Sequence, residues 1–330
     1  MSALRSLAVC CALLSASAAL ADPPTAHAPQ KPAQYVIISF DGANDVPQWQ
    51  RSRALAARTG ADFTYFLSCV YLLTPDTKKA YRPPHRAAGK SNVGFAPSKE
   101  DVAARLQQIR LAATEGHEIA SHGCGHFDGK DWSKADWLSE FSSFTDILRD
   151  AYKLNGLPDE PAGWAGFVAS VHGFRAPYLS TGKALYQALE AAGFDYDASG
   201  ISRGPAEPAR GAAVARFSLP QIPEGPGGRR VIAMDYNLYV RHSGGFERPS
   251  EAATFEARTL DAFRAAFDRE YRGARTPLQL GFHFTLMNDG AYWRALERFA
   301  METCVKADVK CVSYRDYLNM TKPAAAAMGG

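Results

Sequence analysis

Short β-rich runs alternate with helical stretches along most of this 330-residue chain, and that alternation constrains the fold more than any other feature. The runs are Tyr35 to Phe40, Asp62 to Leu67, Glu118 to Ser121, Val171 to Phe174, Phe194 to Asp197, Val231 to Met234, Leu278 to His283 and Val309 to Val312. Helical patterns fill Pro47 to Thr59, Lys99 to Glu115, Lys134 to Leu154, Thr181 to Ala192, Pro249 to Tyr271 and Tyr292 to Ala307. Strands joined through helices pair in parallel, so the expectation is a parallel α/β sheet. Four polar residues, Asp41, His122, Arg175 and His283, each fall at the C-terminal end of a run or just past it. A βα barrel gathers its active-site groups at that end of its strands.

The first residues carry Arg5, an apolar stretch from Leu7 to Leu20, and Ala19-Leu-Ala21 before Asp22-Pro-Pro. That is the pattern of a cleaved secretory signal peptide, which predicts export to the periplasm or medium after removal of residues 1–21. The stretch is shorter than the ~20 residues a bilayer-spanning helix needs, and no later segment approaches that length without charges, so no membrane span is expected. Removing residues 1–21 takes away one charge, Arg5, and lowers the net charge from +3 to +2. A balance this close to neutral gives no reason to expect a nucleic-acid partner. Residues 22–33 and 321–330 read as loose tails around one domain spanning 34–320, and nothing in the chain sets its oligomeric state.

Cys69, Cys124, Cys304 and Cys311 follow the signal segment, an even number in a chain expected to be exported. Cys304 and Cys311 bracket a short helix-to-strand connection and are the favoured pair; Cys69 and Cys124 read as paired or free. Residues 71–97 form a long connection rich in Pro and Gly, with five cations against one carboxylate, Asp76. Loops of that length are often functional.

The chemistry centres on His122 and His126, four apart in His122-Gly-Cys-Gly-His126. Two imidazoles so placed can share one divalent cation, and a catalytic zinc site needs about three protein ligands with a position left for water. Together with Ser39-Phe-Asp41-Gly42, Arg175-Ala-Pro-Tyr178 and Leu280-Gly-Phe-His283, the pair reads as a hydrolase site.

In this order the motifs resemble those of the polysaccharide deacetylase family with the NodB homology domain, carbohydrate esterase family 4, over residues 35–318. The resemblance implies a distorted (β/α) barrel of the NodB type, a single domain with a long loop insertion. It implies a divalent metal, zinc first and cobalt, nickel or manganese as alternatives, and an acetylated glycan as substrate. Asp41 would act as general base and Arg175 would hold it. The backbone N–H of Tyr178 would stabilise the oxyanion, His283 would protonate the leaving amine, and Asp197 would orient His283. His122 and His126 would bind the metal. The family's first motif carries a second Asp as ligand where this chain has Gly42, so the third ligand is open between Asp41 itself, Asp45 reaching back, and water. Asp235, Asn237 and Arg241 could line the mouth or only finish a turn, and Trp132 is the best placed aromatic for stacking on a sugar.

The function so implied is an exported metal-dependent hydrolase that removes N-acetyl groups from N-acetylhexosamine units of a polysaccharide. The alternatives are a catalytically silent glycan-binding protein and an O-acetyl esterase or cyclic amidase on the same fold.

Overall fold

The computed structural model describes residues 31–210 and 213–322. The expected signal peptide and most of both tails lie outside the described residues. From Ala33 onward the chain forms one compact unit.

Among the described residues nine strands build it: β1 (Gln34–Gly42), β2 (Thr64–Leu67), β3 (Glu118–Ser121), β4 (Gly173–Phe174), β5 (Tyr196–Ser202), β6 (Ala215–Glu224), β7 (Arg229–Ile232), β8 (Leu278–His283) and β9 (Val309–Val312). The spatial order is β7-β6-β5-β4-β3-β2-β1-β8, with β9 beside the first half of β1. A parallel bridge between Met234 and Gly281 brings the chain after β7 against β8 and closes the curl into a distorted barrel. The close approach needs a glycine, because a Cβ on Gly281 would lie 2.8 Å from the Met234 side chain.

β1 is buried on both faces, as expected of a strand in a parallel sheet covered by helices. Its alternating side chains have two destinations. Val36, Ile38 and Phe40 point into the layer under the helices, where Phe40 meets Phe63, Tyr65, Phe282, Phe284 and Trp293. Ile37 joins a separate interior cluster with Phe66, Ala120, Tyr196, Phe217 and Tyr314. Ser39 and Asp41, in phase with Ile37, therefore face the same interior as the chain reaches the strand's C-terminal end.

Local signals set the helix boundaries. Asp45 caps the helix Val46–Thr59, Pro47 sits in its first turn, and Gly60 ends it in the left-handed region at φ 66°. Ser133 and Asp136 form a capping box at the start of Lys134–Arg149.

The sheet departs from the expected pattern in one place: β6 and β7 form an antiparallel hairpin. β6 gave no strand signal because Pro220 and Pro223 interrupt it, and proline in a strand argues against a central position. The expected helix from Lys134 to Leu154 breaks at Asp150, and helices Trp164–Ala169, Asp235–Ser243 and Tyr314–Met320 were not anticipated. Residues 71–97 are largely irregular, as expected of an insertion. No helix among the described residues is long and apolar enough to cross a membrane. Both disulfides are formed, Cys69–Cys124 and Cys304–Cys311.

Candidate active site

Asp41 is the penultimate residue of β1, His122 follows β3, Arg175 follows β4, and His283 ends β8, so the strand C-termini gather the four residues at one mouth of the barrel. Asp41 and His283 are register partners on adjacent parallel strands.

Arg175 is fully buried and spends its donors inside the barrel. Nη1 reaches Asp41 Oδ1 at 2.7 Å and Ser39 Oγ at 2.9 Å, Nη2 reaches Tyr314 Oη at 2.8 Å, and Nε reaches the Ala198 carbonyl at 3.0 Å. Its guanidinium also lies 4.3 Å from the centre of the Phe66 ring. Burial pushes the Asp41 carboxyl toward its neutral form, but the buried Arg175 guanidinium, helped by the His283 imidazole, outweighs that effect and holds its pKa below the ordinary value. Asp41 is thus an anion at neutral pH, with Oδ1 committed to Arg175.

His122 is buried, and burial lowers its pKa to about 3, so the ring is neutral. Its Nδ1–H donates to the Arg175 carbonyl at 2.8 Å, which leaves the lone pair on Nε2. The His126 ring centre lies 5.1 Å from that of His122 and 5.0 Å from that of Tyr178, and burial lowers the His126 pKa as well. Three non-glycine residues around the site hold left-handed backbone: Ala43 (φ 41°), His126 (φ 54°) and Tyr178 (φ 58°). Each costs on the order of 1–3 kcal/mol, a cost that proteins concentrate at functional sites.

His283 does not take Asp197 as its partner, which corrects the sequence expectation. Asp235 accepts from both the Nδ1–H and the backbone N–H of His283, each at 2.7 Å. Burial lowers the His283 pKa, but the charge and hydrogen bond of Asp235 prevail and raise it. Asp197 instead accepts from Ser199 Oγ at 2.5 Å and Ser199 N at 3.2 Å, and Ser199 Oγ in turn accepts from Ala176 N at 2.7 Å. Asp197 therefore supports the Arg175–Tyr178 segment. Burial raises its pKa to about 6.

Asp235 follows β7 by a few residues and opens a helix, so a strand-end signal was present; the sequence could not say which of two strand-end aspartates meets His283. Asp45 does not reach back to the histidines: its Oδ2 accepts from Gln48 N as a helix cap. Arg241 bonds the carbonyls of Arg229 and Arg230, and Trp132 packs edge-on against Trp137.

Among the described residues no group of three or more His, Cys, Asp or Glu side chains is placed to hold a metal ion. Two neutral imidazoles side by side, one with its lone pair fixed on Nε2, are nevertheless suitable donors for a borderline divalent cation. At Gly42, where the resemblance expects a carboxylate, φ is 82°, and a Cβ there would face the Tyr71 hydroxyl at 3.9 Å.

No family model matches the sequence, and no curated protein does. Solved structures do share the fold. A protein from Mycobacterium smegmatis described as a polysaccharide deacetylase superposes with a TM-score of 0.54 at 17% identity, over 89% of this chain and 92% of the other. One from Pseudomonas aeruginosa PAO1, similarly described, gives 0.51 at 16% identity over 88% and 93%. The allantoinase Puue gives 0.51 at 18% identity over 92% and 96%. The chain thus has the distorted barrel fold of the NodB-type polysaccharide deacetylases, and that fold supports the family resemblance read from its motifs.

Proposed function

We propose that the chain is an exported metal-dependent hydrolase that removes N-acetyl groups from a glycan. The observation that carries this reading is the pairing of Asp41 with Arg175 and of His283 with Asp235 on adjacent strands, with two neutral imidazoles alongside. The paired disulfides fit an exported chain. His122 and His126 would hold a divalent cation, with zinc the first candidate and Asp41 the carboxylate whose charge acts on both imidazoles. When bound, the cation would lower the pKa of water and polarise the acetamide carbonyl.

The protein's own groups account for the proton movements. Asp41 takes a proton from the attacking water, and Arg175 keeps it ionised beforehand. As the water oxygen bonds to the carbonyl carbon, the backbone N–H of Tyr178 donates to the oxyanion. His283, kept protonated by Asp235, gives its Nε2 proton to the amide nitrogen as the C–N bond breaks. Acetate and a free amino sugar result. Purified protein should release acetate from N-acetylglucosamine oligomers, and the His283→Ala variant should not. No release by wild-type protein supplied with zinc or cobalt would remove the reading.

The lack of a third converging donor among the described residues favours one second reading, a silent glycan-binding protein. Binding that is unaffected by chelator, without acetate release, would identify it. Ring opening of a cyclic amide belongs in the same assay, because the shared fold includes an allantoinase.

A further inference from the structure

We propose that the glycan is anionic, and that the basic segment Lys78 to Lys90 reads its carboxylates beside the catalytic mouth. The inference rests on the deacetylase reading and adds a substrate class to it.

Lys78, Lys79, Arg82, Arg86 and Lys90 fall within thirteen residues of a chain whose whole net charge is +3. All but the half-buried Lys78 are exposed. Among the described residues none of the five forms an ion pair; the carboxylate that reaches the segment, Asp136, pairs with His85. Unpaired exposed cations of one sign are a field that attracts polyanions rather than a stabilising network.

Their position connects them to the site. The segment is fastened to the loop that carries the two histidines. Tyr81 Oη accepts from Gly125 N at 3.1 Å and donates to buried Glu140, whose Oε1 also accepts from Cys124 N at 2.7 Å. Asn92 N bonds the Gly125 carbonyl, Asn92 Nδ2 bonds the His126 carbonyl at 3.0 Å, and the Cys69–Cys124 disulfide ties the segment's origin to the same loop. The Arg86 guanidinium stacks 4.6 Å from the centre of the Phe127 ring, one residue from His126. Arg82, Arg86 and His85 line a depression with Pro83 and Pro84 that has room for about 510 Å³. Arg86 is therefore held next to the His126 segment, and the other cations ride on the same fastened loop, where a polymer seated on the histidines would extend past them. Uronate units flanking an N-acetylhexosamine supply carboxylates for Arg82 and Arg86 to grip as bidentate partners.

The test uses full-length His283→Ala protein, which binds without turning over, and hyaluronan oligosaccharides, in which uronate and N-acetylglucosamine alternate. Carboxyl-reduced oligosaccharides of the same length serve as the neutral control. The expected result is at least tenfold tighter binding of the charged form, a preference that fades with added salt. Replacing Arg82, Arg86 and Lys90 together by Gln should reduce it to less than twofold. Equal affinity for charged and reduced oligosaccharides overturns the inference. So does equally tight binding of a DNA oligomer of the same charge, which would show a general polyanion surface. Acetate release without a charge preference rejects this inference alone; a charge preference without release from any substrate rejects the catalytic reading.

Discussion

Asp235 binds His283 twice, through Nδ1–H and through the backbone N–H, each at 2.7 Å, although the two residues lie 48 apart in sequence. The contact orients the ring, leaves Nε2 without a protein partner among the described residues, and raises the pKa of the imidazole that, in the proposed reaction, would give a proton to the departing amine.

Replacing Asp235 by Asn should remove the charge and keep the shape. The His283 pKa then falls, so the protonated acid is lost at lower pH and the alkaline limb of the kcat profile moves down. General-acid contributions of this kind are worth about 10²–10⁴ in rate, and a loss at the lower end of that range is expected. A rate profile with an unmoved alkaline limb would show that Asp235 only holds the backbone.

Arg175→Met should be costly to stability as well as to activity. The variant leaves the Asp41 carboxylate buried without its partner, and breaking a buried pair from one side costs about 3–5 kcal/mol. Denaturant unfolding at pH 7 measures this. The double variant Asp41→Asn with Arg175→Met should recover part of the loss, because no charge is left buried.

The two disulfides should contribute unequally. Cys69–Cys124 spans 55 residues and Cys304–Cys311 spans 7, so chain entropy favours the longer link by about 1.5–2 kcal/mol. Replacing Cys69 and Cys124 by Ser should lower Tm more than replacing the other pair. It should also reduce activity, because Cys124 lies between His122 and His126.

Much of this was legible in the sequence because the informative residues are local. Val36, Ile37, Ile38 and Phe40 announce a buried strand, and Asp41 follows at its end; the spacing of His122 and His126 is contained in five residues. The parts that were missed depend on contacts between distant segments. Asp197 and Asp235 both follow β-rich runs, and only the barrel's closure through Met234 and Gly281 brings Asp235 to His283. Tyr314, which accepts from Arg175, opens a short helix after β9, and nothing near it in sequence marks that role. β6 was hidden by Pro220 and Pro223, which describe the local backbone correctly but not its place in the sheet.

The central claim is that Asp41, His283 and the His122–His126 pair form one hydrolytic site that works with a divalent cation. The most direct measurement is bound metal and acetate release on the same purified sample, before and after chelation and again after zinc or cobalt is restored. The account predicts near-stoichiometric metal, release that disappears with the chelator and returns with the cation, and loss of metal in His122→Ala. A folded protein that binds no metal and releases no acetate would contradict it.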